Sequence, residues 1–147
     1  MILTRRAAII AVPLLVAGLA EAAGPPVVEV VKSPTCGCCN GWIAHLRRAG
    51  FQVRVTDTAD VTPTARRLGV PDDLRSCHTA SVGGYAVEGH VPAEDIVRLL
   101  RQRPTAAGIA VPGMPIGSPG MEAGGRREPY RTILFTRAGR RTVFASH

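Results

Sequence analysis

The spacing of apolar and polar residues divides the first part of the chain into alternating strands and helices. A β-branched run over residues 27–31, bounded by prolines, is typical of a buried strand. Residues 38–49 then have helical spacing, with Trp42 on the apolar face and a glycine as the stop. Alternation over residues 51–55 predicts a second strand, and a short helix is predicted over residues 62–69. Strand, helix, strand, helix is the start of an α/β domain.

An antiparallel hairpin and a third helix continue this pattern. Residues 79–82 and 85–88 flank Gly83-Gly84, a pair that is typical of a two-residue hairpin turn. A helix is predicted from Pro92, because proline is favoured in the first turn and the acidic residues after it interact favourably with the helix dipole. The predicted order over residues 27–103 is therefore βαβαββα.

The remainder of the chain predicts an extension of this core. Residues 104–129 are rich in glycine and proline, and we expect them to form a long irregular loop without structure of its own. Residues 132–136 and 141–145 predict a closing β-hairpin. The length and the lack of internal repeats predict one domain over residues 23–147, with residues 104–147 as its C-terminal extension.

The N-terminal residues have the pattern of a secretory signal peptide over residues 1–22. Arg5-Arg6 precede an apolar stretch that is too short to cross a bilayer, and Ala20-Glu21-Ala22 offers the small residues of a cleavage site. We expect export by the general secretory or the twin-arginine route, a mature chain that begins near Ala23, and a periplasmic location. No membrane anchor is expected after cleavage.

The charge changes this picture little. The formal net charge is +7, which often indicates a nucleic-acid partner, but an exported protein does not meet nucleic acid. The arginines are scattered in pairs among acidic residues, as on a solvated surface. We therefore expect no nucleic-acid partner.

The four cysteines indicate thiol chemistry at the start of the first helix. Cys36 and Cys39 are separated by one helical turn, so both sulfurs are expected at the helix N-terminus, whereas Cys38 is expected to point elsewhere. The positive end of the helix dipole favours thiolates there. A thiolate is both a nucleophile and a soft-metal ligand, so the spacing alone does not distinguish catalysis from metal binding. Two structural disulfides are a further alternative.

The order of elements around this Cys-x-x-Cys pair resembles the thioredoxin and glutaredoxin fold. The resemblance implies a thioredoxin-like sandwich over residues 27–103. In that fold a cis-proline before the hairpin faces the cysteine pair. Here the corresponding stretch has no proline and offers a thiol and an imidazole instead, at Cys77 and His78. This departure favours a metal site over a dithiol catalyst.

Longer motifs are more specific. They are Ser33-Pro34-Thr35-Cys36-Gly37-Cys38-Cys39, Cys77-His78-Thr79-Ala80, Gly83-Gly84-Tyr85, Glu88-Gly89-His90-Val91-Pro92-Ala93 and the run over residues 111–122. On these residues the chain is identified as a member of domain of unknown function family 411, a family of small periplasmic proteins often described as metal- or copper-binding. The resemblance implies a role in copper homeostasis.

The remaining sulfur and imidazole groups extend the candidate site. Apart from Met1, the only methionines are Met114 and Met121, and their thioethers prefer Cu(I). Their loop is predicted to close over the cysteines as a lid, or alternatively the two side chains are apolar plugs. The candidate metal ligands are Cys36, Cys38, Cys39, Cys77, His78, Met114 and Met121. The alternative role of His78 is that of a hydrogen-bonded structural histidine. His45 and His90 are expected to be solvated, and His147 belongs to a terminus that is expected to fray.

The favoured function is a periplasmic protein that binds Cu(I), with Zn(II) as the alternative metal, through a cysteine cluster. It would sequester copper or transfer it to another exported copper-handling protein. The rival hypothesis is an enzyme, a thiol-disulfide oxidoreductase in which Cys36 attacks and Cys39 resolves. A third hypothesis is a docking module whose cysteines only stabilise a surface.

Overall fold

The computed structural model of the chain describes residues 26–147. The predicted signal peptide over residues 1–22 and the predicted cleavage before Ala23 lie outside the described residues. None of the helices in residues 26–147 combines the length and the apolar character that a membrane span requires.

The predicted mixed α/β class is confirmed, and so is the order βαβαββα of the core. The elements of this core are β1 Val28–Lys32, α1 Gly37–Arg48, β2 Val53–Asp57, α2 Thr62–Leu68, β3 His78–Val82, β4 Tyr85–Glu88 and α3 Ala93–Gln102, with a 3-10 turn at Asp72–Leu74. The extension adds β5 Gly108–Ala110, β6 Arg131–Phe135 and β7 Arg141–Ser146. The predicted closing hairpin is thus β6 and β7.

All seven strands belong to one mixed sheet. Their order is β2-β1-β3-β4-β5-β6-β7, in which β1 pairs with β2 and β4 with β5 in parallel, and the other pairs are antiparallel. The main apolar core joins the sheet to α1 and α3 through side chains such as Val30, Trp42, Leu46, Ile96 and Leu99. The C-terminal hairpin therefore continues the sheet of the core.

The prediction that residues 104–129 have no structure of their own is wrong at β5. This strand pairs with β4 because Gly108 lies against Ala86, where a Cβ atom on the glycine would come within 2.1 Å of the Ala86 carbonyl oxygen. A strand of only three residues in a glycine-rich stretch shows no alternation that a sequence pattern could reveal.

Strand direction places three segments at one end of the sheet. In the antiparallel pair of β1 and β3, Lys32 lies opposite His78, so the residues that follow β1 meet those that precede β3. Strands β3 and β4 are also antiparallel, and Thr79 lies opposite Glu88. The residues that follow β4 therefore reach the same place. The N-terminus of α1, the start of β3 and the end of β4 define the candidate site.

Candidate metal centre

Three cysteines at the start of α1 form what we call the helix side of the site: Cys36, Cys38 and Cys39. Cys36 is the N-cap residue, and its sulfur accepts a hydrogen bond from the Cys39 backbone N–H at 3.3 Å. Cys36 and Cys39 are joined by a disulfide in this structure, whereas Cys38 is a free thiol. Both predicted members of the pair are thus at the helix N-terminus, as expected.

Cys38 does not point elsewhere, and that expectation is wrong. Its sulfur lies 3.5 Å from the sulfur of Cys36 and 3.7 Å from that of Cys77. The expectation assumed helical geometry from Cys36 onward. Cys36 is instead an extended cap with φ −78° and ψ 96°, so the direction of its side chain does not follow the helical repeat.

Cys77, His78 and His90 form the opposite part of the cluster, which we call the strand side. Cys77 immediately precedes β3, and its sulfur is 3.5 Å from the sulfur of Cys39. The ligand atoms of all four cysteines lie within 4.8 Å of one another, close enough to share a metal ion. The structure therefore brings together the four cysteines that the sequence offers as candidate metal ligands, and their ligation of a metal stays a prediction.

Two buried histidines contact the Cys77 sulfur. His78 Nδ1 lies 3.5 Å and His90 Nε2 lies 3.4 Å from this atom, and both histidines are 0% exposed. The expectation that His90 is solvated is wrong. A turn at Gly89, whose φ is +71°, leads the chain out of β4, and the extension covers the His90 ring through the Pro119 carbonyl. The sequence pattern carried no signal of this long-range cover.

Trp42 links the two sides of the site. Its ring packs on His78 with 4.3 Å between ring centroids, and its Nε1 donates a hydrogen bond to the Val91 carbonyl at 2.8 Å. His78 and His90 in turn meet edge to face at 5.1 Å. The predicted core position of Trp42 is confirmed, since the residue is 0% exposed. Its packing holds the imidazoles against the first helix.

Burial sets the protonation of the strand side. Burial, with a smaller contribution from His90, lowers the pKa of His78 to about 3, and burial also lowers the pKa of His90. Both rings are therefore neutral at neutral pH, the form of imidazole that binds metals. Burial, assisted by the charge of Cys38, raises the pKa of the Cys77 thiol to about 11. A metal ion that binds here must displace the Cys77 proton.

The loop that carries the two methionines lies against the site. The Ser76 hydroxyl donates to the Gly113 carbonyl at 3.3 Å, which brings the loop next to Cys77. Gly120 approaches the first helix so closely that a Cβ on Gly41 would lie 2.9 Å from the Gly120 Cα. Met114 is 52% exposed and Met121 is partly exposed. Their ligation of a metal stays a prediction.

The other two histidines make structural contacts outside the cluster. His45, expected to be solvated, accepts a hydrogen bond from the Ala93 backbone N–H at 3.0 Å. His147, expected to fray, has its Nε2 2.9 Å from an Asp95 carboxylate oxygen and stacks on Tyr130. Neither belongs to the candidate metal centre.

Four sulfurs and two neutral imidazoles on a mixed α/β scaffold define the class: a domain with a cysteine-rich candidate metal centre. The chain belongs to the family described as "Protein of unknown function, DUF411", whose model matches residues 74–121. The matched segment contains the whole strand side and both loop methionines, while the helix side lies outside it.

Two solved structures, titled copper resistance protein CopG form 1 and form 2, are similar to this chain. Each is 47% identical and has a TM-score of 0.79, and each alignment covers 84% of this chain and 98% of that chain. No curated protein matches the chain.

Proposed function

We propose that this protein is an exported, periplasmic Cu(I)-binding protein that sequesters copper or transfers it to another exported copper-handling protein. The observation that carries the proposal is the convergence of four cysteine sulfurs within 4.8 Å of one another. The titles of the two similar structures, which name copper resistance, support the choice of metal.

The donor atoms favour Cu(I) over other metals. Thiolates are soft ligands that select Cu(I), and Zn(II) is the alternative ion for a four-cysteine set. The loop that carries Met114 and Met121 offers two further soft thioethers beside the site. Low coordination numbers and exchangeable thiolates suit transfer, because an incoming donor can displace one sulfur at a time.

The Cys36–Cys39 disulfide must open before all four sulfurs can bind copper. Opening takes two electrons and two protons from a dithiol donor, which is itself oxidised to a disulfide. The N-terminus of α1 then stabilises the released thiolates through its dipole and its free backbone N–H groups. Cys38 and Cys77, both free thiols here, complete the set.

The Cys77→Ser variant tests this proposal. Removing one soft ligand should lower Cu(I) affinity about tenfold or more. Mutating a residue that only hydrogen-bonds to a metal ligand typically causes a loss of that size. The measurement is a competition with a Cu(I) chelator on reduced, metal-free protein. Ser81→Ala is the matched control, because Ser81 lies on β3, the strand that follows Cys77, but away from the sulfur cluster. This variant should retain full affinity.

A thiol-disulfide oxidoreductase is the second candidate, and the Cys36–Cys39 disulfide is the observation that favours it. In this hypothesis Cys36 attacks a substrate disulfide and Cys39 resolves the mixed disulfide. Such a catalyst needs only that pair, so Cys77→Ser should leave insulin reduction largely intact. Unchanged copper affinity in Cys77→Ser together with rapid insulin reduction by the wild type would reject the copper proposal and favour the enzyme.

A further inference from the structure

The end of the sheet opposite the metal centre is rich in arginine, and we call it the far end. The strand pairings place the β3–β4 turn, the start of β5 and the β6–β7 turn there. Helix α2 ends beside the β6–β7 turn, since the Arg137 side chain packs against Gly69. Helix α3 ends beside the β3–β4 turn, where its cap residue Arg103 donates a hydrogen bond to the Gly83 carbonyl at 2.7 Å. Two helix C-termini and two hairpin turns therefore meet at the far end.

Exposed arginines follow one another across the far end. Arg137 donates a hydrogen bond to the Arg67 carbonyl at 3.1 Å, which joins the β6–β7 turn to the last turn of α2. Arg137 and Arg140 line a cleft together with Thr105, the second residue after Arg103. We call the following exposed residues the far-end patch: Arg66, Arg67, Arg103, Arg137 and Arg140. Arginines that are scattered along the sequence are therefore contiguous in the structure.

Within residues 26–147, no carboxylate forms an ion pair with this patch. The acidic residues towards the far end are each paired with another arginine: Asp73 with Arg141, Asp72 with Arg75, and Glu29 with Arg54. The remaining acidic residues of the described chain lie in segments at the metal-centre end of the sheet. These segments are the end of β2, the loop before α2, the end of β4, the first turn of α3 and the loop between β5 and β6. The charge is therefore polarised along the sheet, with its positive pole at the far end.

Helix geometry explains only part of this clustering. A cation near a helix C-terminus interacts favourably with the helix dipole, and the Arg103 and Arg137 side chains each satisfy a backbone carbonyl. In the part of the chain that the structure describes, the side chains of Arg66, Arg67 and Arg140 have no hydrogen bond and no ion pair. Neighbouring guanidinium groups repel one another, and an anion that binds between them relieves this repulsion. These three side chains are therefore available to an external anion.

The far-end patch fits a broad anionic surface better than a protein interface. Interfaces between proteins are usually centred on buried aromatic or apolar anchors. None of the exposed large apolar side chains of residues 26–147 belongs to the patch or to its cleft. The cleft between Arg137 and Arg140 has a volume of about 270 Å³ and offers guanidinium and hydroxyl donors. Phosphate groups are bound by such donors, and guanidinium matches their geometry with two parallel hydrogen bonds.

We propose that the far-end patch binds reversibly to the phosphate groups of anionic lipids at a membrane surface, and that the bound protein keeps its metal centre towards the aqueous phase. The orientation follows from the polarised charge, because an anionic bilayer attracts the far end and repels the acidic segments at the other end. Each arginine that approaches such a surface increases binding about fivefold. That the protein meets a membrane from outside the cytoplasm rests on the proposed export, whereas the binding itself does not.

Co-sedimentation of the mature protein with lipid vesicles tests the patch. At low ionic strength we expect binding to vesicles that contain phosphatidylglycerol, and none to vesicles of phosphatidylcholine alone. Raising the salt concentration should weaken binding, because ions screen the attraction. Absence of binding to the phosphatidylglycerol vesicles would overturn the proposal. So would selective binding to soluble polyglutamate instead, which would identify an acidic protein as the partner.

Two arginine pairs of equal charge separate the patch from the net charge. Arg66→Gln combined with Arg67→Gln should weaken vesicle binding about tenfold or more. Arg126→Gln combined with Arg127→Gln removes the same charge from an exposed pair in the loop between β5 and β6, and should have a much smaller effect. Circular dichroism establishes that both variants are folded. Equal losses in the two variants would show attraction by net charge alone and would reject the patch.

Alkylation of the free thiols tests the orientation. Cys38 and Cys77 are free and partly exposed at the metal centre. A water-soluble maleimide should modify them equally fast in free and in vesicle-bound protein. A rate that falls several-fold on vesicle binding would mean that the metal centre faces the membrane, and would reject the proposed orientation.

Discussion

The two sides of the metal centre differ in what holds their side chains in place. On the helix side, the three cysteines of the first turn are held by the geometry of a helix N-terminus, and two of them are joined by a disulfide. On the strand side, His78 and His90 are fully buried and each is oriented by a backbone carbonyl. The helix side therefore changes with redox state, while the strand side is fixed by packing.

Redox state therefore controls how many thiols the helix side offers, whereas packing controls how the side chains of the strand side are oriented. Opening or closing one covalent bond changes how many thiols the helix side offers. Changing the strand side requires moving Trp42 or the loop that covers His90. Substitutions that affect packing should therefore act mainly on the strand side.

The largest effect is expected for Trp42→Ala, which removes the contact between the two sides. Loss of a fully buried aromatic ring typically lowers the free energy of unfolding by about 3–5 kcal/mol. Urea unfolding measures this loss. Circular dichroism is the signal, because the variant lacks the only tryptophan of the chain and so cannot be monitored by tryptophan fluorescence. Trp42→Phe, which keeps most of the packing and loses the bond to the Val91 carbonyl, should show a smaller loss. Equal stability of Trp42→Ala and the wild type would contradict the conclusion that Trp42 holds the two sides together.

Glu88 is expected to make the stability of the strand side depend on pH. One carboxylate oxygen accepts from the Ser76 backbone N–H at 2.7 Å, and burial raises the pKa of Glu88 from 4.5 to about 7. The folded state thus favours the neutral carboxyl, whose contribution to stability is full below about pH 4.5 and is lost as the pH rises through 7.

Glu88→Gln removes this titration and retains an oxygen for the Ser76 N–H. We expect the variant to exceed the wild type in free energy of unfolding by up to about 3 kcal/mol at pH 8, and to match it near pH 4. Denaturant unfolding at the two pH values is the measurement. A difference that is the same at both would show that the carboxyl does not titrate in this range.

A pair of glycine variants separates loop packing from backbone strain. Gly120 has φ +84°, and a Cβ there would lie 2.6 Å from both the Cys38 carbonyl oxygen and the Trp42 amide nitrogen. Gly113 has φ +72° but nothing within 4 Å of such a Cβ. Gly113→Ala should cost about 1–2 kcal/mol from the left-handed backbone alone.

Gly120→Ala should cost at least about 1 kcal/mol more than Gly113→Ala, because the added methyl group meets backbone atoms that cannot move freely. Thermal unfolding of the two variants side by side gives the difference. Similar melting temperatures would mean that the loop does not pack tightly on α1.

The smallest effect on stability is expected for Met114→Ala combined with Met121→Ala. Met114 is 52% exposed, so truncating its side chain loses little buried apolar surface. The free energy of unfolding should therefore change by under about 1 kcal/mol. If the loop acts as a lid with thioether ligands, chelator competition should show weaker retention of Cu(I). Val97→Ala, an exposed apolar residue of α3, is the control. Full copper affinity with a melting temperature lowered by several degrees would identify the methionines as plugs.

On the helix side the sequence predicted the positions of Cys36 and Cys39, where its information is local, and misjudged the direction of Cys38. Cys36 and Cys39 lie one turn apart after a recognisable strand, and the structure places both at the start of α1. Cys77 and His78 were noted because they stand where a proline was expected. His90 was missed, since its burial depends on Pro119, a loop residue distant in the sequence.

The same distinction applies to the fold. Periodicity predicted every strand and helix of the core, with shifts of one or two residues at most of their ends. It did not predict β5, whose pairing with β4 relies on the close approach of Gly108 to Ala86. Contacts that depend on the shape of a distant backbone leave no period in the sequence.

The attachment of the loop after β5 has a kinetic consequence. Ala110 and Ile133 are paired neighbours on β5 and β6, so both ends of the intervening segment are tied to adjacent strands. Such a segment can lift as a unit while the sheet stays intact. Between its anchored ends, at Val111 and Tyr130, its contacts with Ser76, His90 and α1 need to break. Amide protons of the loop should therefore exchange with solvent far faster than those of β5 and β6, and under the proposed function the opening rate of the loop should set how quickly copper reaches the site.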